Sequence, residues 1–332
     1  DYYYGMSNNT SAGTTASTYS IDPNETNTAR RVFSVWDIIG DHTGASNPLL
    51  GNLPADVNNG QSGGYMVVIN ASYRTDTAFK DTVRNLCPNT SYEYSAWFRN
   101  ICRTCGADSV GRGSTTAGYE PTAPGDSSGV RPTLTFNING HDYYSTGDIY
   151  YTGQWVKKGF TYRTGPGETE MIISIRNNAP GGGGNDWAID DIAVSTCLPD
   201  MSYSPSLNPN VCTGNPLTIY DTIRGYYDNY TYHIWQRSTD NGVNWTDLGA
   251  SRDSIPVYNS TLNRWEYVTA YTIPTTNTNV SDSGDLYRVL VATTSSNLSS
   301  PACRVTDGIS IINLSVMDCG PVLKTDLLSF NG

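Results

Sequence analysis

The sequence predicts an all-β chain folded into two sandwiches, and three observations carry that expectation. Gly, Ser, Thr, Asn and Tyr are abundant, Lys is scarce and only 15% of residues are charged, a mixture that favours short strands joined by many turns. Apolar and polar residues alternate over strand lengths between Gly, Pro and Asn, and no run at helical spacing exceeds about two turns. The 332 residues, 37% of them apolar, are too many for one comfortable sandwich and sufficient for two cores.

Residues 1–31 are rich in Tyr, Asn, Ser and Thr without a sustained period and read as an extended lead-in segment. From Val32 the pattern changes, and residues 65–71, 92–98, 134–138 and 171–175 read as sandwich strands. Asn139–Gly140 follows the apolar positions Leu134, Phe136 and Ile138 and supplies the positive backbone angles of a tight hairpin. Pro199, Pro205, Pro209 and Pro216, with Ser and Asn between them, place a domain boundary near residue 200. Beyond it, residues 230–236, 265–271, 287–292 and 309–316 read as the strands of a smaller sandwich. The expected organisation is a lead-in over 1–31, a first domain over 32–199, a second over 200–316 and a tail over 317–332.

With 31 acidic against 20 basic residues the formal net charge is −11, and Lys and Arg cluster nowhere densely enough to grip phosphates, which argues against a nucleic-acid partner. No run reaches the roughly 18 apolar residues of a membrane span. The start at Asp1, without Met or signal peptide, reads as a processed, mature product. Seven cysteines include one CxxC pair, Cys102 and Cys105, which reads either as half a zinc site or as oxidised structural thiols. A single CxxC supplies two of four zinc ligands, and His42, His141 and His233 sit in no ligand spacing, so disulfides and an oxidising compartment are expected and zinc is not. The expected bridges include Cys102–Cys105 and a clamp Cys87–Cys197, with Cys319 left over from the odd count.

In the second half, Trp235 and the run from Asp282 through Gly284 and Asp285 to Tyr287 resemble an immunoglobulin-type core with a tyrosine corner. Two positions after Tyr287, where an antibody domain carries its second Cys, stands Val289. The usual inter-sheet bridge is therefore missing, and Cys212 and Cys303 are expected to tie the two ends of the domain together. The run from Ser238 to Trp245 is similar to an Asp-box, a hairpin in which Asp240 caps the turn and Trp245 packs beneath it. Asp-boxes recur in sialidase propellers, but a propeller needs several copies, so the expectation here is structural. Residues 60–64 and 125–129 imitate a serine-hydrolase elbow around Ser62 and Ser127 without the strand–turn–helix context that chemistry needs. Carboxylates are plentiful enough for a glycosidase pair, which on an acidic surface is the default rather than a signal. No catalytic constellation emerges, and no organic cofactor is expected.

Residues 176–197, reading RNNAPGGGGNDWAIDDIAVSTC, together with WFRNICRTCG over 97–106, look like the closing parts of jelly-roll modules from Bacteroidota surface proteins, and are similar in outline to MAM-type and carbohydrate-binding modules. The resemblance covers residues 32–198 and implies a structural calcium ion at Asp190 or Asp191. The alternative is that one Asp caps backbone amides and the other is solvated. Residues 322–332 resemble the linker that precedes a type IX secretion sorting domain, which implies export to the outer-membrane surface or beyond. Triplets that begin at Asp76, Asp81, Asp108, Asp221 and Asp253 are similar to the O-glycosylation signal of such bacteria and would place sugar on Thr77, Thr82, Ser109, Thr222 and Ser254.

The leading functional expectation is an extracellular, non-catalytic surface protein, an adhesin or a fibre subunit. Its partners would be copies of itself or other surface proteins, reached through tails that carry Tyr2, Tyr3, Tyr4, Val322, Leu323, Leu327, Leu328 and Phe330. The alternative is a glycan-binding module that uses Tyr143, Tyr144, Tyr150, Tyr151 or Trp155 as stacking surfaces. A secreted hydrolase is the third reading.

Overall fold

The computed structural model describes residues 3–7, 42, 66–70, 75–100, 131–150, 154–178, 185–306 and 311–320. Cys102, Cys105, Ser109, Tyr151, the two elbow-like stretches, the glycine run 181–184 and residues 321–332 lie outside them. The chain is all-β, a jelly-roll sandwich followed by an immunoglobulin-like sandwich. It divides into two compact units, Asp1–Asn85 with Tyr92–Tyr162 and Glu170–Ser195, and Leu86–Ser91 with Arg163–Thr169 and Thr196–Gly332.

Nine strands build the first unit: β1 (Tyr3–Ser7), β2 (Met66–Asn70), β3 (Thr77–Arg84), β4 (Ser91–Asn100), β5 (Thr133–Ile138), β6 (His141–Asp148), β7 (Val156–Arg163), β8 (Glu170–Asn177) and β9 (Trp187–Thr196). They form a five-stranded sheet in the order β1-β2-β9-β4-β7 and a four-stranded sheet in the order β3-β8-β5-β6. Alternation explains the sandwich: Tyr94 and Phe98 on β4 are buried and meet Phe136 of β5 edge-on, at ring separations of 4.8 and 5.8 Å. Phe160 and Trp187 extend the same aromatic layer. The β5–β6 turn is the expected hairpin, with Asn139 at φ 51° and Gly140 at φ 86°. The lead-in, expected to stay outside the sandwiches, contributes β1 as an edge strand antiparallel to β2, with Tyr3 opposite Asn70 and Ser7 opposite Met66.

The second unit holds β10 (Asp200–Ser204), β11 (Asn210–Cys212), β12 (Leu217–Gly225), β13 (Tyr232–Ser238), β14 (Thr246–Asp247), β15 (Arg252–Asp253), β16 (Val257–Asn259), β17 (Arg264–Ile273), β18 (Leu286–Ala292), the single turn of helix α1 (Ser295–Leu298), β19 (Ile312–Asn313) and β20 (Ser315–Met317). One sheet runs β10-β12-β17-β16, the other β14-β13-β18-β19 with β15 also on β13, and β11 pairs with β20 in parallel. Its core gathers Ile219, Ile223, Trp235, Tyr287, Val289 and Ile312. Trp235 donates its indole N–H to Thr269 Oγ1 at 3.2 Å. Tyr287 fills the expected core position, but among the described residues its buried hydroxyl finds no partner, so the bond that defines a tyrosine corner is not made there. Arg237 instead ties the corner, donating to Asp285 at 2.6 Å and Asp282 at 2.8 Å.

The Asp-box run forms its hairpin. Asp240 accepts from the backbone N–H of Asn244 at 2.8 Å, and Trp245 donates to the carbonyl of Gly242 at 3.0 Å. Asn241 and Gly242 take positive φ, which the turn requires.

The disulfide pairing corrects the sequence expectation. Among the described residues the bridges are Cys212–Cys319 and Cys87–Cys303, not Cys212–Cys303, and Cys87 and Cys197 are not bonded to each other. The parallel pairing of β11 with β20 places Cys212 opposite Met317, so Cys319, two residues on, comes within bonding distance at a Cα separation of 5.3 Å. Cys319 is therefore not the leftover thiol. Cys303, in the turn after α1, meets Cys87 of the segment Leu86–Ser91, which the second unit takes in. Asn229 and Asn297 fasten that segment by donating to the carbonyls of Asn89 and Pro88. No helix among the described residues is long and apolar enough to cross a membrane.

Candidate functional site

On β4, Tyr94, Ala96 and Phe98 are buried between the sheets, so the alternate residues Glu93, Ser95 and Trp97 lie on the opposite, outward face of the five-stranded sheet. On the neighbouring β7, Phe160 packs inward against Tyr94 and Phe136, which turns Lys157, Gly159 and Thr161 to that same outward face. The strands approach so closely that a Cβ on Gly159 would stand 2.5 Å from the Ser95 Cβ and 2.6 Å from the Tyr94 carbonyl oxygen. Only glycine fits, and its missing side chain leaves a depression of about 280 Å³ lined by Glu93, Ser95, Lys157 and Thr161.

The polar groups in this depression are already arranged. Lys157 Nζ donates to Glu93 Oε1 at 2.6 Å, and Ser95 Oγ donates to the same oxygen at 2.9 Å. The bond from Lys157, then that from Ser95, holds the Glu93 carboxyl below the usual carboxylate range, so it is ionised at neutral pH. Glu93 Oε2 and the remaining ammonium hydrogens of Lys157 are left to meet a polyhydroxylated molecule.

On the same sheet, His42 stacks on Trp97 at 4.9 Å between ring centroids. Asp190 of β9 accepts from both the backbone N–H and Nδ1 of His42, each at 2.9 Å, and its other oxygen accepts from the Asp191 N–H. Asp191 is exposed, with φ at 41°. His42, Asp190 and Asp191 thus converge, yet the described residues do not fit the calcium ion implied by the resemblance. Calcium takes six to eight oxygen ligands, whereas both oxygens of Asp190 are committed to N–H donors and the third group is an imidazole. Asp190 satisfies neighbouring amides, the exposed Asp191 has Oδ2 3.5 Å from His42 Nδ1, and the N-terminal oxygen ligands that a calcium ion would also need fall outside the described residues.

The aromatic residues expected as stacking surfaces are not gathered at this depression. Tyr143 is 49% exposed and lies flat against Phe160, with ring centroids 5.8 Å apart. Tyr144 turns inward onto Phe136 and Phe160. Tyr150 is half exposed under the Arg131 guanidinium, and Trp155 is half-buried with its indole N–H unpartnered among the described residues. Of the residues expected to carry O-linked sugar, Thr77 is exposed and Thr82, Thr222 and Ser254 are half-buried. Asp76 and Asp81 each accept from the next residue's N–H at 2.7 Å.

Sequence reasoning missed Glu93, Ser95 and Lys157. The legible signal was the alternation in SYEYSAWF, which sets polar against aromatic residues, together with a glycine inside a strand.

No known family matches the chain, and no curated protein matches it. Among solved structures it is similar to the C-terminal domain of the sugar-binding protein EclA, at 13% identity over 52% of this chain and 98% of that one, with a TM-score of 0.30. It is also similar to a CBM4 structure, at 19% identity over 41% of this chain and 72% of that one, with a TM-score of 0.25. A β-1,2-glucanase from Parabacteroides distasonis matches at 11% identity over 77% of this chain and 33% of that one, with a TM-score of 0.22. At such values these likenesses carry no argument about what this chain binds, which has to come from its own residues.

Proposed function

We propose that this is an extracellular, non-catalytic carbohydrate-binding protein whose first unit receives a saccharide on the outward face of its five-stranded sheet. The carrying observation is the depression opened by Gly159 and lined by Glu93, Ser95, Lys157 and Thr161, in which a carboxylate and an ammonium face the same open space. A sugar ring presents alternating hydroxyls that both donate and accept, and a carboxylate beside an ammonium answers both roles with charge-assisted bonds. Glu93 is the one carboxylate among the residues that line the depression, which supports binding over the paired-acid chemistry of a glycosidase. Two disulfides support an oxidising, extracellular setting.

This reading takes the glycan-binding alternative ahead of the adhesin or fibre subunit, because β1 pairs within its own sheet. Export by a type IX route and a Bacteroidota source are proposals that rest on residues 322–332, outside the described residues.

Glycan-array retention followed by calorimetry tests the reading. A neutral oligosaccharide should bind, and Glu93→Ala and Lys157→Ala should each weaken it about tenfold while the melting temperature holds. Retention of no saccharide, or parent-like affinity in both variants, would sink the proposal.

A further inference from the structure

We infer that the second unit carries a separate cleft for an acidic saccharide, a sugar that bears a carboxylate at one end and free hydroxyls at the other. The inference goes beyond the first-unit site and leans on the proposed function only in taking the ligand to be a sugar. The cleft, of about 350 Å³, lies on the outer face of β13 and β18 beside α1, within the size range of small-molecule sites. Its floor is apolar, made by Ile234, Leu290 and Leu298, which suits the carbon face of a pyranose.

The charges on its walls give the ligand its polarity. Among the described residues the Arg304 guanidinium makes a single long hydrogen bond, from Nη1 to the Leu298 carbonyl at 3.4 Å, and has no carboxylate at ion-pair distance. Arg288 reaches the neighbouring surface, donating from Nε to Gln236 Oε1 at 3.0 Å and lying over the Trp245 ring at 3.9 Å, again with no ion-pair partner among the described residues. Burial, and after it the charge of Arg304, holds the Arg288 guanidinium below its usual range. Two guanidinium groups that repel each other, in a chain of net charge −11, stand where a bound anion would relieve the repulsion.

Asp247 lines the cleft as well, and one of its oxygens accepts from Gln236 Nε2 at 2.7 Å. The other is available to a hydroxyl and repels a second negative charge. Inorganic phosphate satisfies one of these demands, whereas a uronic acid satisfies both.

Titration of the full chain with tetragalacturonate and with its methyl-esterified form tests the inference. The acidic form should bind saturably, weaken as salt is raised, and exceed the neutral ester by at least tenfold. Arg304→Gln should cost about tenfold in affinity. Ser295→Asp, which adds a charge at the exposed start of α1, should abolish binding with the melting temperature kept. Equal affinity for acid and ester, parent-like binding by a folded Arg304→Gln protein, or displacement by equimolar inorganic phosphate would overturn it. Loss of acid binding with neutral binding retained refutes this cleft alone. Acid binding that persists when no neutral sugar binds supports the cleft and refutes the first-unit face.

Discussion

The two sandwiches reach order by different means. Between the sheets of the first unit, Tyr94, Phe98, Phe136, Phe160 and Trp187 meet ring to ring, and the described residues contain no covalent cross-link there. The second unit buries a mixed layer in which Asp221 and His233 sit beside Trp235, Tyr267 and Tyr287, and both described disulfides belong to it. Large aromatic surface stabilises through burial alone. The first unit also buries Arg99, Asp186 and Asp190, so what separates the two is the density of its ring-to-ring contacts against the cross-links of the second, which stabilise by restricting the unfolded chain.

Breaking the first strategy should give the largest effect. Phe136 touches Tyr94, Phe98, Tyr144 and Phe160, so Phe136→Ala should cost about 3–5 kcal/mol. Hydrogen exchange read strand by strand should show lost protection in β5 and β8 with β13 and β18 unchanged; equal losses in both units would refute the contrast. The paired change Cys212→Ala with Cys319→Ala opens a loop of 107 residues and should cost about 2–5 kcal/mol in denaturant titration, with the losses confined to the second unit.

A smaller effect is expected from acid. Burial holds the His233 imidazole below its usual value, against a Thr231 backbone bond that raises it, with Arg252 lowering it further. A base with a depressed folded value favours the neutral form in the native state. Its stabilisation is complete above the unfolded value of about 6.5 and is lost as pH falls from there through the folded value. His233→Gln should flatten that part of the stability profile. An identical slope in the variant would assign the acid sensitivity elsewhere. The smallest expected effect is none at all: excess chelator should leave the melting temperature unchanged, since His42 and the Asp191 amide already satisfy Asp190. A fall in that temperature would restore calcium to Asp190 and Asp191.

Strands with strong alternation were legible in the sequence, among them β4, β5, β8, β13, β17 and β18. Their periodicity is set by burial of one face, which the order of apolar and polar residues reveals. The stretch 309–316 read as one strand, but the chain changes partners at Leu314, β19 lying on β18 and β20 on β11. That break follows from tertiary pairing and leaves no local mark. Bridges were harder still. Cysteines supply no direction, and Cys319 became a partner of Cys212 only through a parallel strand pair between segments about a hundred residues apart. The depression at Glu93 and Lys157 was hidden for the same reason, because their contact spans 64 positions and depends on which strand lies beside β4.

Cys87 and Cys303 lie 216 residues apart, and the bond between them sets how the molecule behaves under load. When the two ends of the chain are pulled, the covalent path runs from Cys87 straight to Cys303, and everything between bears no tension. With this bond and Cys212–Cys319 both reduced, that shielded stretch, drawn out at about 3.3 Å per residue, would add roughly 700 Å of contour. Extension of that stretch is therefore governed by the reducing power of the surroundings and not by the strength of the pull.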